Sequence, residues 1–370
     1  MSGARTIGLL AGARPNYMKV FPLLRALERA PERWRPVLIH TGQHYDAAMS
    51  DVFFEDFGVR PPDHFLGVGS GPHGAQTGRV MIALEPVLER ERPDWLVVVG
   101  DVNSTVAGAL TAVKMGIRVA HLEAGLRSGD RSMPEEINRC ATDAIADLLL
   151  TPSEDADAHL RREGVPPERI ARVGNIMIDS LVFLLPRAKA SPVLDRLDLA
   201  EGDYVLATLH RPSNVDDPAR LGRLLDQLAE AAGARPVVLP MHPRTRRLVD
   251  DAPALRRRAR RLCCVEPLGY VDFLRLQLGA AAVVTDSGGI QEETSFLGIP
   301  CLTARPNTER PITIEQGTNR LVDPDGERLA PAIEAAIAQY HGQPAPAIPL
   351  WDGQTAPRVV AALERATEAS

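Results

Sequence analysis

The sequence predicts an α/β protein of two Rossmann-like, doubly wound domains. Three observations support that class. Short apolar runs alternate with longer amphipathic stretches almost throughout the chain. The alternation breaks between about Leu181 and Asp203 and then starts afresh. The length, 370 residues, favours two domains over one hydrophobic core.

The first apolar runs are Thr6–Gly12, Pro36–Thr41, Trp95–Gly100, Val119–Glu123 and Leu148–Thr151. Ile170–Val173, Tyr204–Leu209, Pro236–Pro240, Ala281–Thr285 and Pro300–Thr303 follow. Short runs rich in Val, Ile and Leu read as strands buried on both faces, and the stretches between them supply the helices that cover a parallel sheet. Pro186, Ser191-Pro192 and Glu201-Gly202 interrupt the rhythm before the second series. The expected division is 1–172 and 173–355, with an amphipathic helix over about 356–370 packing back on the first domain. Sheets of this kind bind ligands beyond the carboxyl ends of their strands, and two such edges are expected to face one cleft.

The formal charge of −6 argues against general affinity for nucleic acid or anionic membrane. Excess arginine in Arg244–Arg247 and Arg256–Arg261 reads as a solvated helix face in so acidic a chain. No run approaches the roughly 20 apolar residues of a membrane span, and Thr6–Gly12 is too short for a signal peptide. The cysteines, Cys140, Cys263, Cys264 and Cys301, form no C-x-x-C pair, which suggests neither a zinc site nor a disulfide framework. Reduced thiols in the cytoplasm are the expectation.

The sharpest local signal is Thr285-Asp-Ser287-Gly288-Gly289-Ile-Gln-Glu-Glu293, where a buried strand ends in small residues and opens a helix. Free amides at such a helix N-terminus attract phosphate, and Glu293 is placed to accept ribose hydroxyls. A Gly-rich cap is the structural alternative. Arg14 and Lys19 follow the first strand and are candidates for a diphosphate, as is Arg310. Asp101 and Glu123 each close a strand, and Glu135 follows Pro134 close by, with Arg139 beyond. Converging carboxylates suit general acid–base chemistry or metal binding; an N-cap role for Asp101 and a first-turn charge for Glu135 are the alternatives. His210 ends the first strand of the second series, a candidate phosphate contact or proton relay, and His242 holds a similar place.

Together these segments resemble the non-hydrolysing UDP-N-acetylglucosamine 2-epimerases. The match is carried by Gly12-Ala-Arg-Pro15 with Lys19, Thr41-Gly-Gln-His44, Gly100-Asp101, His121-Leu-Glu-Ala-Gly-Leu-Arg127 and Pro134-Glu-Glu-Ile-Asn-Arg139. It continues through Val173-Gly-Asn175, Asp179, His210-Arg211, Thr285–Glu293, Thr308-Glu-Arg-Pro311, Gln316-Gly317 and Asp352-Gly353. The resemblance implies a GT-B-like fold, a homodimer, and no metal or nicotinamide cofactor. It assigns Arg14, Lys19, Arg139, His210, Phe273, Ser287, Gly288, Gly289, Glu293 and Arg310 to UDP-N-acetylglucosamine and UDP. Asp101, Glu123, Glu135 and His210 fall to catalysis. Gln43, Gln76 and His242 match an effector site for a second UDP-N-acetylglucosamine, although Ala75 stands where activated members carry arginine. Leu268 replaces a glutamine frequent at the nucleotide site.

The implied reaction eliminates UDP to a glycal and re-adds it after protonation of the other face of C2. A hydrolysing epimerase, a 2-epimerase of a modified UDP-sugar, and a GT-B glycosyltransferase are the rival readings.

Overall fold

The computed structural model describes residues 4–12, 14–43, 57–233, 235–323, 325–340 and 342–368, without the side chains of Arg14, Pro15 and Arg244. The chain is α/β and divides into two compact units, Met1–Phe183 with Pro349–Ser370, and Leu184–Ile348.

The first unit carries strands β1 (Arg5–Ala11), β2 (Trp34–His40), β3 (His64–Phe65), β4 (Trp95–Val99), β5 (Arg118–Leu122), β6 (Leu148–Thr151) and β7 (Ile170–Arg172). Its helices include α1 (Arg14–Glu28), α2 (His73–Glu91), α3 (Asn103–Lys114), α4 (Pro134–Ile145), α5 (Glu154–Arg162) and α6 (Ile176–Lys189), the last running past the division at Phe183. The strands pair in parallel in the order β3-β2-β1-β4-β5-β6-β7. The order reverses between β1 and β4, where a doubly wound sheet opens for ligands. Trp95–Val99 is buried throughout, as a sheet covered on both faces requires. Gly108 lets α3 approach that sheet, since a β-carbon there would lie 2.2 Å from Leu10 Cδ2.

The second unit has β8 (Val205–Thr208), β9 (Val237–Pro240), β10 (Cys263–Val265), β11 (Ala282–Thr285), β12 (Cys301–Ala304) and β13 (Asn319–Val322), parallel in the order β10-β9-β8-β11-β12-β13. Here the reversal lies between β8 and β11. Its longer helices include α7 (Pro218–Ala231), α8 (Tyr270–Gly279), α9 (Gly288–Leu297) and α10 (Leu329–Tyr340). Val205, Leu224, Leu228, Val284, Leu302 and Ile333 belong to one core on one face of this sheet. Tyr204, Leu206, Val238, Leu276 and Val283 belong to a second core.

Pro349–Ser370 joins the first unit across the length of the second, and hydrogen bonds to α6 and the first sheet hold it there. Helix α11 (Thr355–Glu368) is capped by Asp179 of α6, whose carboxylate accepts the amides of Thr355 at 2.9 Å and Ala356 at 2.7 Å. Trp351 Nε1 donates to Pro152 O at 3.0 Å, and Trp95 Nε1 to Thr367 Oγ1 at 2.9 Å. Residues 173–183 and 349–368 are thereby fastened to the first sheet. No described helix is long and apolar enough to cross a membrane.

Candidate active site

In the first unit, β4 and β5 end side by side and deliver Asp101 and Glu123 to one edge of the sheet. Glu123 takes a left-handed backbone conformation, φ +74°, rare for a residue with a side chain. Its amide and that of Ala124 both donate to Leu150 O, at 3.0 and 3.2 Å, which holds the strained turn on β6. The Glu123 carboxylate is buried and ion-paired with Lys19 of α1. Asp101 does not cap α3: Val102 is the N-cap residue, and Gln43 Oε1 instead accepts the Ser104 amide at 3.1 Å.

Helix α4 supplies the other wall. Arg139, buried, reaches Asp101 Oδ2 at 2.6 Å and Glu136 Oε2 at 2.6 Å. Asn138 Nδ2 donates to Asp101 O at 2.9 Å. Glu136 also accepts the amides of Ser128 and Gly129 at 2.9 Å. Burial raises its carboxyl, but those amides, the Ser128 hydroxyl and Arg139 outweigh burial and hold it below the ordinary value. Glu135 stands half-buried on the first turn after Pro134. Lys19, Asp101, Glu123 and Arg139 are thus linked as ion pairs at the edge that also carries Glu135.

Behind this edge His121 is fully buried, with Nδ1 2.6 Å from Asp143 Oδ1 and Nε2 2.8 Å from Gly100 O. Asp143 also accepts the Gly125 amide at 3.1 Å and Arg127 Nη1 at 2.7 Å. Burial raises the Asp143 carboxyl; His121 and Arg127 together pull it below the ordinary range.

Gln43 and Gln76 are both buried. Gln43 Oε1 accepts Ser104 Oγ at 2.7 Å as well as its amide, and Gln76 Nε2 donates to Gly69 O at 2.9 Å. Arg14 opens α1, and its side chain lies outside the described residues, as does His44.

In the second unit the edge where β8 and β11 end is organised by Asp286. Its buried carboxylate accepts the amides of His210 and Arg211 at 3.0 Å each and Asn214 Nδ2 at 3.1 Å, and pairs with His210 Nδ1 at 2.8 Å. Burial raises this carboxyl, and the His210 ring with the donated hydrogen bonds overrides it and holds it low. The His210 ring is half-exposed, 6.4 Å from that of His242.

Ser287 is the N-cap residue of α9 with no side-chain cap bond, so its side chain leaves the amides of the first turn unclaimed at the positive end of the helix. Beside it Arg310 is held at 2.8 Å by both Glu292 and Glu309, and Glu309 also meets Arg305 at 2.8 Å. Burial raises the Glu309 carboxyl, but Arg310, Arg305 and Arg211 carry it well below the ordinary range. Glu293, buried, accepts Tyr270 Oη at 2.9 Å and Gln277 Nε2 at 2.6 Å. With no cation among these donors, burial pushes its carboxyl up. Phe273 and Leu268 are half-buried against the core that includes Leu276 and Val283, with Ile290 of α9 packed on the same core.

Sequence reasoning missed Asn16, Asp143, Asp286 as an organising carboxylate, Glu309, Tyr270 and Gln277. Asn16 follows Arg14-Pro15, a sequence signal for a turn, and its Oδ1 accepts the Gly12 amide at 3.0 Å. Among the described residues no group of three or more His, Cys, Asp or Glu is placed to hold a metal ion.

Comparison with known proteins places these edges in context. The family profile described as UDP-N-acetylglucosamine 2-epimerase matches residues 25–364. A UDP-N-acetylglucosamine 2-epimerase of Methanocaldococcus jannaschii is 41% identical over 90% of this chain and 92% of its own. A UDP-2,3-diacetamido-2,3-dideoxy-D-glucuronate 2-epimerase of Pseudomonas aeruginosa is also 41% identical, over 89% and 92%. The crystal structure of an M. jannaschii UDP-GlcNAc 2-epimerase in complex with UDP-GlcNAc and UDP superposes with a TM-score of 0.88 at 39% identity, covering 97% of this chain and 99% of that one. These likenesses bear out the Rossmann-like, GT-B-like fold class.

Proposed function

Because the chain belongs to the UDP-N-acetylglucosamine 2-epimerase family, we propose that it reversibly inverts C2 of UDP-N-acetylglucosamine without net hydrolysis, giving UDP-N-acetylmannosamine. The observation that carries this reading is the meeting of Asp101, Glu123, Lys19 and Arg139 as ion pairs on the edge that also bears Glu135.

C2 bears no carbonyl, so its proton is not acidic enough for simple abstraction. Elimination solves the problem. The C1–O bond breaks with its electron pair leaving on the diphosphate, a carboxylate takes the C2 proton, and a C1=C2 double bond forms. The same or a second carboxylate then protonates the opposite face of C2, and a diphosphate oxygen re-adds to C1. Asp101, Glu123 and Glu135 supply the proton-transfer groups. Charge gathering on the diphosphate is met by Arg310, His210 and the Ser287–Gly289 amides; Phe273 and Glu293 serve the uridine. The family resemblance supports a homodimer, which sedimentation would test.

Gln43 and Gln76 hold loops, Gln43 by accepting the Ser104 amide and Gln76 by donating to Gly69 O, and Ala75 supplies no cation for an effector diphosphate at these residues and His242. Hyperbolic dependence of rate on substrate is the expected result. The equal identity to the diacetamido-glucuronate enzyme favours that sugar as the second reading.

The test is an NMR assay in heavy water with both UDP-sugars. The expected result is UDP-N-acetylmannosamine with deuterium at C2 and UDP still attached. Inversion without deuterium excludes elimination; stoichiometric free UDP moves the assignment to a hydrolysing epimerase; turnover of the uronate alone selects the second reading.

A further inference from the structure

His121 has an acceptor on each ring nitrogen, Asp143 Oδ1 at 2.6 Å and the Gly100 carbonyl at 2.8 Å, and is shut off from solvent. A neutral imidazole donates from one nitrogen only. It would leave a lone pair facing either a carbonyl or a carboxylate, with no water to separate them. Asp143, which also accepts the Gly125 amide and Arg127 Nη1, is held as a carboxylate, and beside a carboxylate it is the imidazolium that satisfies both contacts.

The three elements joined by this ring are the ones that carry the proposed acids. Gly100 immediately precedes Asp101 on the way out of β4, His121 lies two residues before Glu123 in β5, and Asp143 lies on α4 with Glu135 and Arg139. The charge around the ring is balanced: Asp143 faces it from α4, Arg127 approaches Asp143 from the loop after β5, and Glu163 pairs with Arg127 at 2.7 Å. Cys140 of α4 stands by Arg127 with its thiol raised, by burial first of all, and is thereby neutral. Lys19 Nζ comes up on the far side of Gly100, 2.8 Å from where a β-carbon would sit.

We infer that His121 is a positioning residue that works as a buried imidazolium, clamping the ends of β4, β5 and α4 so that Asp101, Glu123 and Glu135 keep one geometry. The inference rests on the proposed role of those acids. A neutral ring would release one edge, and a displacement of about 1 Å at a reacting group is worth roughly a hundredfold in rate.

The test has two arms. Ring-15N NMR of the intact protein, with His121 assigned by difference from His121→Gln, should show both ring nitrogens protonated at pH 7 to 8. A neutral tautomer overturns the inference whatever the reaction proves to be. In the second arm, His121→Gln and Asp143→Asn should lower kcat about a hundredfold while the Kd for UDP changes less than threefold. Unchanged kcat in both also overturns it, as does a loss of UDP affinity matching the loss of kcat. Failure of the epimerase reading would appear separately, as wild-type protein that does not invert C2.

Discussion

Arg310 lies directly against the backbone of Gly288: a β-carbon at that glycine would stand 2.6 Å from the Arg310 Nη1 and 3.0 Å from its Cζ. Glu292 and Glu309 hold the guanidinium in place, so the usual escape of a flexible side chain is restricted. Gly288→Ala should therefore displace the cation from the α9 N-terminus. UDP at a hundredfold excess over its Kd protects a binding protein by about 2.7 kcal/mol. That protection, read by thermal unfolding at fixed UDP concentration, should shrink markedly in Gly288→Ala. Equal protection of both proteins would remove Gly288 from the nucleotide site.

Asp101→Asn, Glu123→Gln and Glu135→Gln change charge and nearly keep shape. Each should lower kcat by about 10²–10⁴-fold, the range of a lost general acid or base, with UDP binding retained. Glu123→Gln also leaves the buried Lys19 ammonium without its ion-pair partner, so it should cost more stability than Asp101→Asn, after which Arg139 keeps Glu136. An active variant would strike that residue from the catalytic set.

Glu293 offers a trade between stability and binding. Its folded pKa is raised, first by burial, so the folded state favours the protonated form. The stabilising contribution is full below the unfolded carboxylate pKa and lost as pH rises through the folded one. At neutral pH the buried carboxyl is therefore a cost to folding. Glu293→Gln should raise Tm at pH 7 to 8 by a few degrees, for a gain of about 1 kcal/mol, and weaken UDP binding. A lower Tm with unaltered affinity would contradict both halves.

Glu309 should behave oppositely. Its folded pKa is depressed by three arginines despite burial. That contribution is present above the unfolded carboxylate pKa and disappears as pH falls toward the folded value. Glu309→Gln should lower Tm at pH 7, and the gap to the parent protein should narrow below about pH 4. A gap that stays constant with pH would show that the charge is not the cause.

The positions of the long buried strands were legible because Val, Ile and Leu runs reflect burial on two faces, and Trp95–Val99 is the plainest case. The short strands His64–Phe65, Cys263–Val265 and Asn319–Val322 escaped notice. Each lies at or near a sheet edge, where a two- to four-residue segment leaves little periodicity. Asp101 and Glu123 could be placed because each closes a strand. Their partners could not, since Asp101 with Arg139, His121 with Asp143, and Tyr270 with Glu293 are joined across the fold at separations no local pattern records. The tie between α6 and α11 is hidden in the same way, because the Thr355 amide donates to an Asp179 carboxylate 176 positions away.

That last tie has a consequence during synthesis. Residues 4–183 leave the ribosome well before 349–368, so the first unit waits for its capping helix while the whole of the second is made. At about 5–20 residues per second the delay is on the order of ten to thirty seconds. Through that interval the Trp95 indole and the Asp179 carboxylate lack the partners that α11 will bring. The unit encoded first is thus the one finished last, and a nascent chain stalled near residue 340 should be open to protease and chaperone on its amino-terminal half.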